Sequence, residues 1–363
     1  MRTIGTRTKY LLLLVILTIT ISPAMAGASA MSKNGAVYTE TNNVTDNRII
    51  SFDRSADGSL SMSGSFSTNG LGTGISLGNQ GGVILTDDGK NLLAVDAGSN
   101  EISVFQVKSK GLVLTDKVSS AGTMPISLTS HKDLVYVVNE GGNGNIVGFH
   151  LDDGKLSMIP NSIRPLSSNS AGPAEISFNP EGNVLVVTEK STNKIDTYVL
   201  DKHGIPIGPI VQNSNGQTPF GFAFDKKGHL IVSEATTNAL SSYAVDDWGN
   251  LKTISGSVPD FHSAPCWVVV TENGKFAYTN NAHDGTTSSY RIDKDGELSL
   301  LNQVAATPGV GNIDLALSQD SKFVYSLNSG VNTIAGFRVN SDGSLTLVTT
   351  VNVMSGLDGL AAS

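Results

Sequence analysis

Apolar and polar residues alternate in short blocks along this chain. Compact runs such as 134–138 (LVYVV), 184–187 (VLVV) and 276–278 are rich in Val and Tyr and are bounded by polar or Gly-containing turns. Runs of this length and composition predict strands buried on both faces. No stretch after residue 30 keeps a 3.6-residue apolar period long enough to predict a helix, which argues against an α-solenoid.

The blocks repeat at a spacing near 47 residues, seven times. A polar residue ends one strand and an aromatic ring follows nine positions later. The pairs are Asp96 and Phe105, Glu140 and Phe149, Glu189 and Tyr198, Glu234 and Tyr243, Asn281 and Tyr290, and Asn328 and Phe337. The first unit, from Glu40 to Phe52, carries a three-residue insertion. Asp-Gly turns follow at Asp57-Gly58, Asp153-Gly154, Asp295-Gly296 and Asp342-Gly343, a strong hairpin signal because Gly tolerates positive φ. Pro125, Pro173, Pro219 and Pro265 open successive units, with Asn312 and Gly356 in the same place.

Self-similarity at this period predicts a propeller, solenoid or array, and strands buried on both faces favour stacked propeller blades. Residues 356–361 (GLDGLA) align with residues 312–317 (NIDLAL), the first strand of the seventh unit. The repeats begin near residue 36 with a second strand and end with a first one. One blade is therefore expected to be built from both ends of the chain, closing a ring of seven four-stranded antiparallel blades without a free edge. The expected organisation is an export signal over 1–26, a tail over 27–35 and one all-β seven-bladed propeller over 36–363. The Ser- and Gly-rich stretch 61–82 reads as a long link between blades 1 and 2.

The start carries Arg2, Arg7 and Lys9, an apolar run over 11–21 and then Ala24-Met25-Ala26, the pattern of a cleaved export signal. The run is too short for a permanent membrane anchor. An exported, periplasmic or extracellular protein without a transmembrane anchor is expected, and a monomer. Loss of 1–26 removes three of 24 basic and none of 32 acidic residues, leaving a net charge of −11. That balance argues against nucleic acid or anionic membranes as partners. Cys266 is the only cysteine, so no intrachain disulfide is available.

The texts PCWVVVTENGKFAYTNN at 265–281, YRIDKDGELSLL at 290–301 and IDLALSQDSKFVYSLN at 313–328 resemble the seven-bladed lactonase-like propellers. These include the 6-phosphogluconolactonase and carboxymuconate-lactonizing groups and their exported bacterial relatives. The resemblance covers essentially 36–363 and implies a lactonase-type carboxylic ester hydrolase. Catalytic branches of that family place Arg-His or His just after the Pro landmark. This chain has Ile126-Ser127, Ala174-Glu175, Phe220-Gly221 and Cys266-Trp267 there.

In a propeller the first strand of each blade lines the central channel. The position two residues past the Pro landmark reads Gly82, Ser127, Glu175, Gly221, Trp267, Asp314 and Asp358. A purely structural position would look alike in every blade, whereas this column is individually tailored. Glu175, Asp314 and Asp358 near one axis would share protons at raised pKa, bind a cation such as Ca²⁺, or stand solvated in a wide channel. The strand-ending position reads Glu40, Asp96, Glu140, Glu189, Glu234, Asn281 and Asn328; a polar residue in every blade fits turn stabilisation, and the acids Glu140, Glu189 and Glu234 also fit a negative ligand-binding mouth.

Trp267 and Phe220 could form a stacking platform for a ligand, or be inner-strand core. His262 and His283, both in blade 6, are candidate acid–base groups or surface-loop residues. His131, His203 and His229 fall on the opposite face. Cys266 reads as a small buried hydrophobe. Two functions follow: a propeller binding a small ligand or a cell-surface partner at its channel mouth, or a hydrolase or isomerase acting on a lactone or related small carboxylic compound, with a mouth carboxylate as base.

Overall fold

The computed structural model describes residues 1, 2, 5 and 33–363. The expected export signal and most of the tail lie outside the described residues. The first strand runs Lys33–Glu40, so blade 1 begins three residues ahead of position 36.

Seven antiparallel sheets form the seven blades, numbered in chain order. Six have four strands. Blade 3 divides its outer position between Lys155–Met158 and a two-residue piece, Arg164–Pro165. The inner strands of blades 2 to 7 are Val83–Leu85, Thr123–His131, Pro173–Phe178, Pro219–Phe224, Pro265–Val270 and Asn312–Leu317. The inner strand of blade 1 is the last of the chain, Asp358–Ala362. It pairs with Lys33–Glu40 through Val37 opposite Ala362, Tyr38 opposite Ala361 and Glu40 opposite Asp358. It also packs on the inner strands of blades 7 and 2, so the ring is closed. Arg54 ties the seam by donating to the Ser363 carbonyl at 3.0 Å and the Asn34 carbonyl at 3.1 Å.

Burial follows position in the blade. Second strands such as Val184–Glu189 and Phe323–Asn328 are buried throughout, whereas the outermost strands, such as Leu60–Ser67, are largely open to solvent. The landmark rings Phe52, Phe105, Phe149, Tyr198, Tyr243, Tyr290 and Phe337 are all buried. Each such side chain contributes roughly 1.5–3 kcal/mol on burial. A second set of tyrosines straps neighbouring blades together through the carbonyls of turn glycines. Tyr136 donates to Gly204, Tyr278 to Gly343 at 3.0 Å and Tyr325 to Gly58 at 2.9 Å, the last across the closing seam.

The register corrects the repeat in two blades. In blades 4, 5, 6 and 7 the residue at each landmark Pro or Asn faces Glu189, Glu234, Asn281 and Asn328. In blade 3, Pro125 faces Asn139, because the following turn is one residue longer, so Glu140 lies one place beyond the strand-ending position. In blade 1, Glu40 faces Asp358 as Thr188 faces Glu175, so Glu40, although the last residue of its strand, stands beside the axial column and not opposite a landmark position.

Candidate active site in the central channel

Each inner strand presents an unpaired edge to the axis, and buried backbone groups there need partners. The connection from blade 1 to blade 2 supplies them. The stretch 61–82, read as a link, begins within the outer strand of blade 1, Leu60–Ser67, and its last part, 77–82, enters the ring. The Leu77 amide donates to Asp358 Oδ2 at 2.9 Å in blade 1. Asn79 Nδ2 donates to the Ile126 carbonyl in blade 3, and the Gln80 amide to the Ala174 carbonyl in blade 4 at 3.0 Å. In blade 6 the Trp267 indole donates to the Asn79 carbonyl at 2.7 Å. The Lys190 ammonium, 5.3 Å from the centre of the Phe220 ring, donates to the Gly78 carbonyl at 2.5 Å. The face where the inner strands begin is thus plugged by the chain itself.

The plug divides the three axial carboxyls. Asp358 is buried, with its oxygens taken by the Leu77 and Gly359 amides, and burial raises its pKa to about 6 against those donors. Glu175 is 7 % exposed and Asp314 2 %. Glu175 Oε2 accepts from the Phe222 amide at 2.7 Å and Oε1 from Gln80 Nε2 at 3.4 Å. Asp314 Oδ1 accepts from the Leu315 amide at 2.7 Å. Burial pushes Glu175 well above the usual carboxylate range, and the Asp314 charge adds to it. Burial does the same to Asp314, with Asp358 adding to it. Glu40, opposite Asp358, is raised mainly by burial and further by Asp358, Asp96 and Asp314. Among the described residues no three His, Cys, Asp or Glu side chains come together as a metal site. Backbone amides bond to both oxygens of Asp358 and to one oxygen each of Glu175 and Asp314, and Gln80 contacts the other Glu175 oxygen.

Below the plug a cavity of ≈ 700 Å³ runs along the axis to the opposite face, where the inner strands end. Gln80, Glu175 and Asp314 line its inner part, and Asp87, His131, Asn179 and Gln319 lie towards the strand ends. None of the lining residues is Lys or Arg. His131 was read from sequence as lying on the opposite face, which is where the open end lies. Its ring sits 5.8 Å from that of Phe178, its Nδ1 lies 4.0 Å from Asp87 Oδ2, and its buried Nε2 has no partner among the described residues. The sequence signal for this end was the set of turn residues after each inner strand.

The other sequence candidates lie elsewhere. Glu189 and Glu234 are fully buried inside their blades. Glu189 accepts from the Ser167 amide at 2.9 Å and from the Ser167 and Thr192 hydroxyls, and Glu234 from the Ser241 and Ser257 hydroxyls at 2.6 Å each. Both hold turns and links and do not face a ligand mouth. Glu140 stands on the plugged face, where burial raises it and the Lys190 charge opposes the rise. Phe220 and Trp267 pack edge to face at 5.1 Å under the plug, so they form core and not a platform. His262 Nδ1 lies 3.1 Å from Asp284, and His283 is exposed beyond it, away from the channel lining. Burial pushes the Cys266 thiol up to about 12, which makes it a poor nucleophile.

A sequence model of the family described as "Lactonase, 7-bladed beta-propeller" matches residues 42–166, 82–260 and 231–314. The 6-phosphogluconolactonase of Blochmanniella pennsylvanica is 31% identical over 123 residues, a match covering 33% of this chain and 35% of that protein. Among solved structures, a Lactobacillus plantarum protein superposes with a TM-score of 0.74 at 16% identity, over 92% of this chain and 100% of the other. The periplasmic gluconolactonase of Pseudomonas aeruginosa gives 0.68 at 15% identity, over 90% of this chain and 98% of the other. At such identities the two structures speak for the fold alone. The family match spans most of the blades, and the chain belongs to the seven-bladed β-propeller lactonase family.

Proposed function

We propose that this propeller hydrolyses an uncharged lactone in the blind axial cavity, with Glu175 and Asp314 as an acid–base pair. The observation that carries the reading is that the cavity contains two buried carboxyls whose ionisation lies above the ordinary range, with the Asp314 charge adding to the rise at Glu175. In this reading Glu175 is the ionised member and the base, and Asp314 is the protonated member and the acid. Glu175, the more exposed of the two, takes a proton from water as the water oxygen bonds to the lactone carbonyl carbon. The ring C–O bond then breaks and its oxygen takes the proton held by Asp314, giving the open hydroxy acid. Return of the proton from Glu175 to Asp314 through solvent restores the pair.

The same lining argues for an unphosphorylated substrate. A phosphate ester needs Arg or Lys donors, and here it would meet acidic groups without a cation. The curated relative's name refers to a phosphorylated lactone, so the two substrates differ in this reading. The 1–26 pattern supports action outside the cytoplasm, and the described blades begin only at Lys33.

The test is turnover of γ- and δ-lactones, with and without a phosphate ester, measured by acid release. Hydrolysis of the neutral compounds with a bell-shaped pH profile is expected. A preference for the phosphorylated ones would overturn the substrate class. A lactone that raises the melting temperature without being opened would leave a binding protein.

A further inference from the structure

Gln80 reaches the axis from a segment outside the inner strands, and its whole amide is engaged. Its Oε1 accepts from the Val268 amide at 2.9 Å; of the two Nε2 hydrogens one goes to the Val268 carbonyl at 2.9 Å, and the other is shared between the Phe222 carbonyl at 3.3 Å and Glu175 Oε1 at 3.4 Å. The side chain therefore pairs with the blade 6 inner strand as a backbone unit would, and it spans to blades 4 and 5. A Cβ on Gly221, the blade 5 member of the axial column, would stand 2.2 Å from Gln80 Oε1 and 2.6 Å from the Cys266 carbonyl. Gly221 is empty because Gln80 occupies that place in the ring.

We propose that Gln80 is the positioning residue of the carboxyl pair, fixing the Glu175 rotamer and donating to its ionised form so that Glu175, and not Asp314, is the base. The inference rests on the acid–base reading above. Two contacts hold Glu175: the Phe222 amide on Oε2 and Gln80 on Oε1. The titratable groups in the same cavity are Glu175, Asp314, Asp87 and His131, and beyond Asp314 stand Asp358 on the blade 1 inner strand and Glu40 beside it. His131 stands towards the strand ends, so the side-chain N–H in range of Glu175 Oε1 is that of Gln80. A donor to the charged form lowers a carboxyl pKa, and its removal raises it.

Two variants test this. Gln80→Leu removes the amide, and Gln80→Glu keeps the shape while replacing a donor with an acid. With neutral lactones, the acid limb of the rate profile should move to higher pH by about one unit in Gln80→Leu and further in Gln80→Glu. KM should change less than kcat. Independently of turnover, the infrared carboxyl band that Glu175→Gln removes should titrate at correspondingly higher pH in both folded variants. A Glu175 titration unmoved by both substitutions overturns the positioning role even if the parent is a lactonase. A titration that moves in a protein that opens no lactone keeps the positioning role and removes the hydrolase reading. If Gln80→Leu does not fold, the isosteric Gln80→Glu decides alone.

Discussion

Two pairs of buried acids, one within blade 4 and one joining blade 4 to blade 7, differ in one respect. Glu189 and Asp196 lie diagonally on adjacent strands of the blade, facing Lys194 and Val187, both fully buried, with Glu189 held by Ser167 and Thr192. Burial raises Asp196 to about 8, and Glu189 adds to it. Glu175 and Asp314 are raised by the same causes, but they line a cavity that opens on one face. Displaced ionisation therefore marks both a strut and a candidate site, and access separates them. An acid that no ligand can reach contributes only to stability.

The largest effect should come from breaking the ring that creates both environments. Deleting 356–363 removes Asp358 and the inner strand of blade 1, exposing the edges of Lys33–Glu40 and its neighbours. Loss of a single cooperative transition in thermal unfolding is expected, with aggregation. Next in size is the contrast between the pairs. Glu175→Gln should lower lactone turnover by about 10²–10⁴-fold, the range for a general base, whereas Asp196→Asn should leave it within about twofold. Equal losses in a folded Asp196→Asn would erase the distinction drawn from access.

The third effect is on stability and its sign follows from linkage. Folded Asp196 binds its proton more tightly than the unfolded side chain, so its contribution is intact below about pH 3.8 and is lost as pH rises through about 8. Asp196→Asn should therefore be more stable than the parent by about 1–3 kcal/mol at pH 7, and the two should converge near pH 4, read by urea unfolding at each pH. A gain that persists at pH 4 would point to packing instead. The smallest effect is a near-absence. Since amides already bond to each axial carboxyl, Ca²⁺ or a chelator should move the melting temperature by less than about 1 °C, and a concentration-dependent rise would restore a cation to the channel.

The blade count, the closing strand and the axial column were legible because each is a periodic property of the chain. Pro173, Pro219 and Pro265 announce strand after strand, and the position two residues on does point at the axis. Blades 1 and 3 were misregistered because a longer turn changes spacing without changing the aromatic landmark. Glu140 was thus taken for a strand end that Asn139 occupies. The plug left no such trace. Leu77, Asn79 and Gln80 bond to five blades across the whole sequence, and contacts of that range have no period. The clue was indirect: two glycines in the tailored column, Gly82 and Gly221, leave room for side chains from elsewhere.

The closing strand also sets a clock. Thr39 finds its partner, the Asp358 carbonyl, 319 residues later. At about 5–20 residues per second of synthesis, the first strand waits roughly 16–64 s beside its half-built blade. Throughout that interval its edge is open to any other extended chain. Chain completion, and not local strand formation, is then the event that ends the protein's exposure to misassembly, and the most distant pairing in the sequence becomes its slowest safeguard.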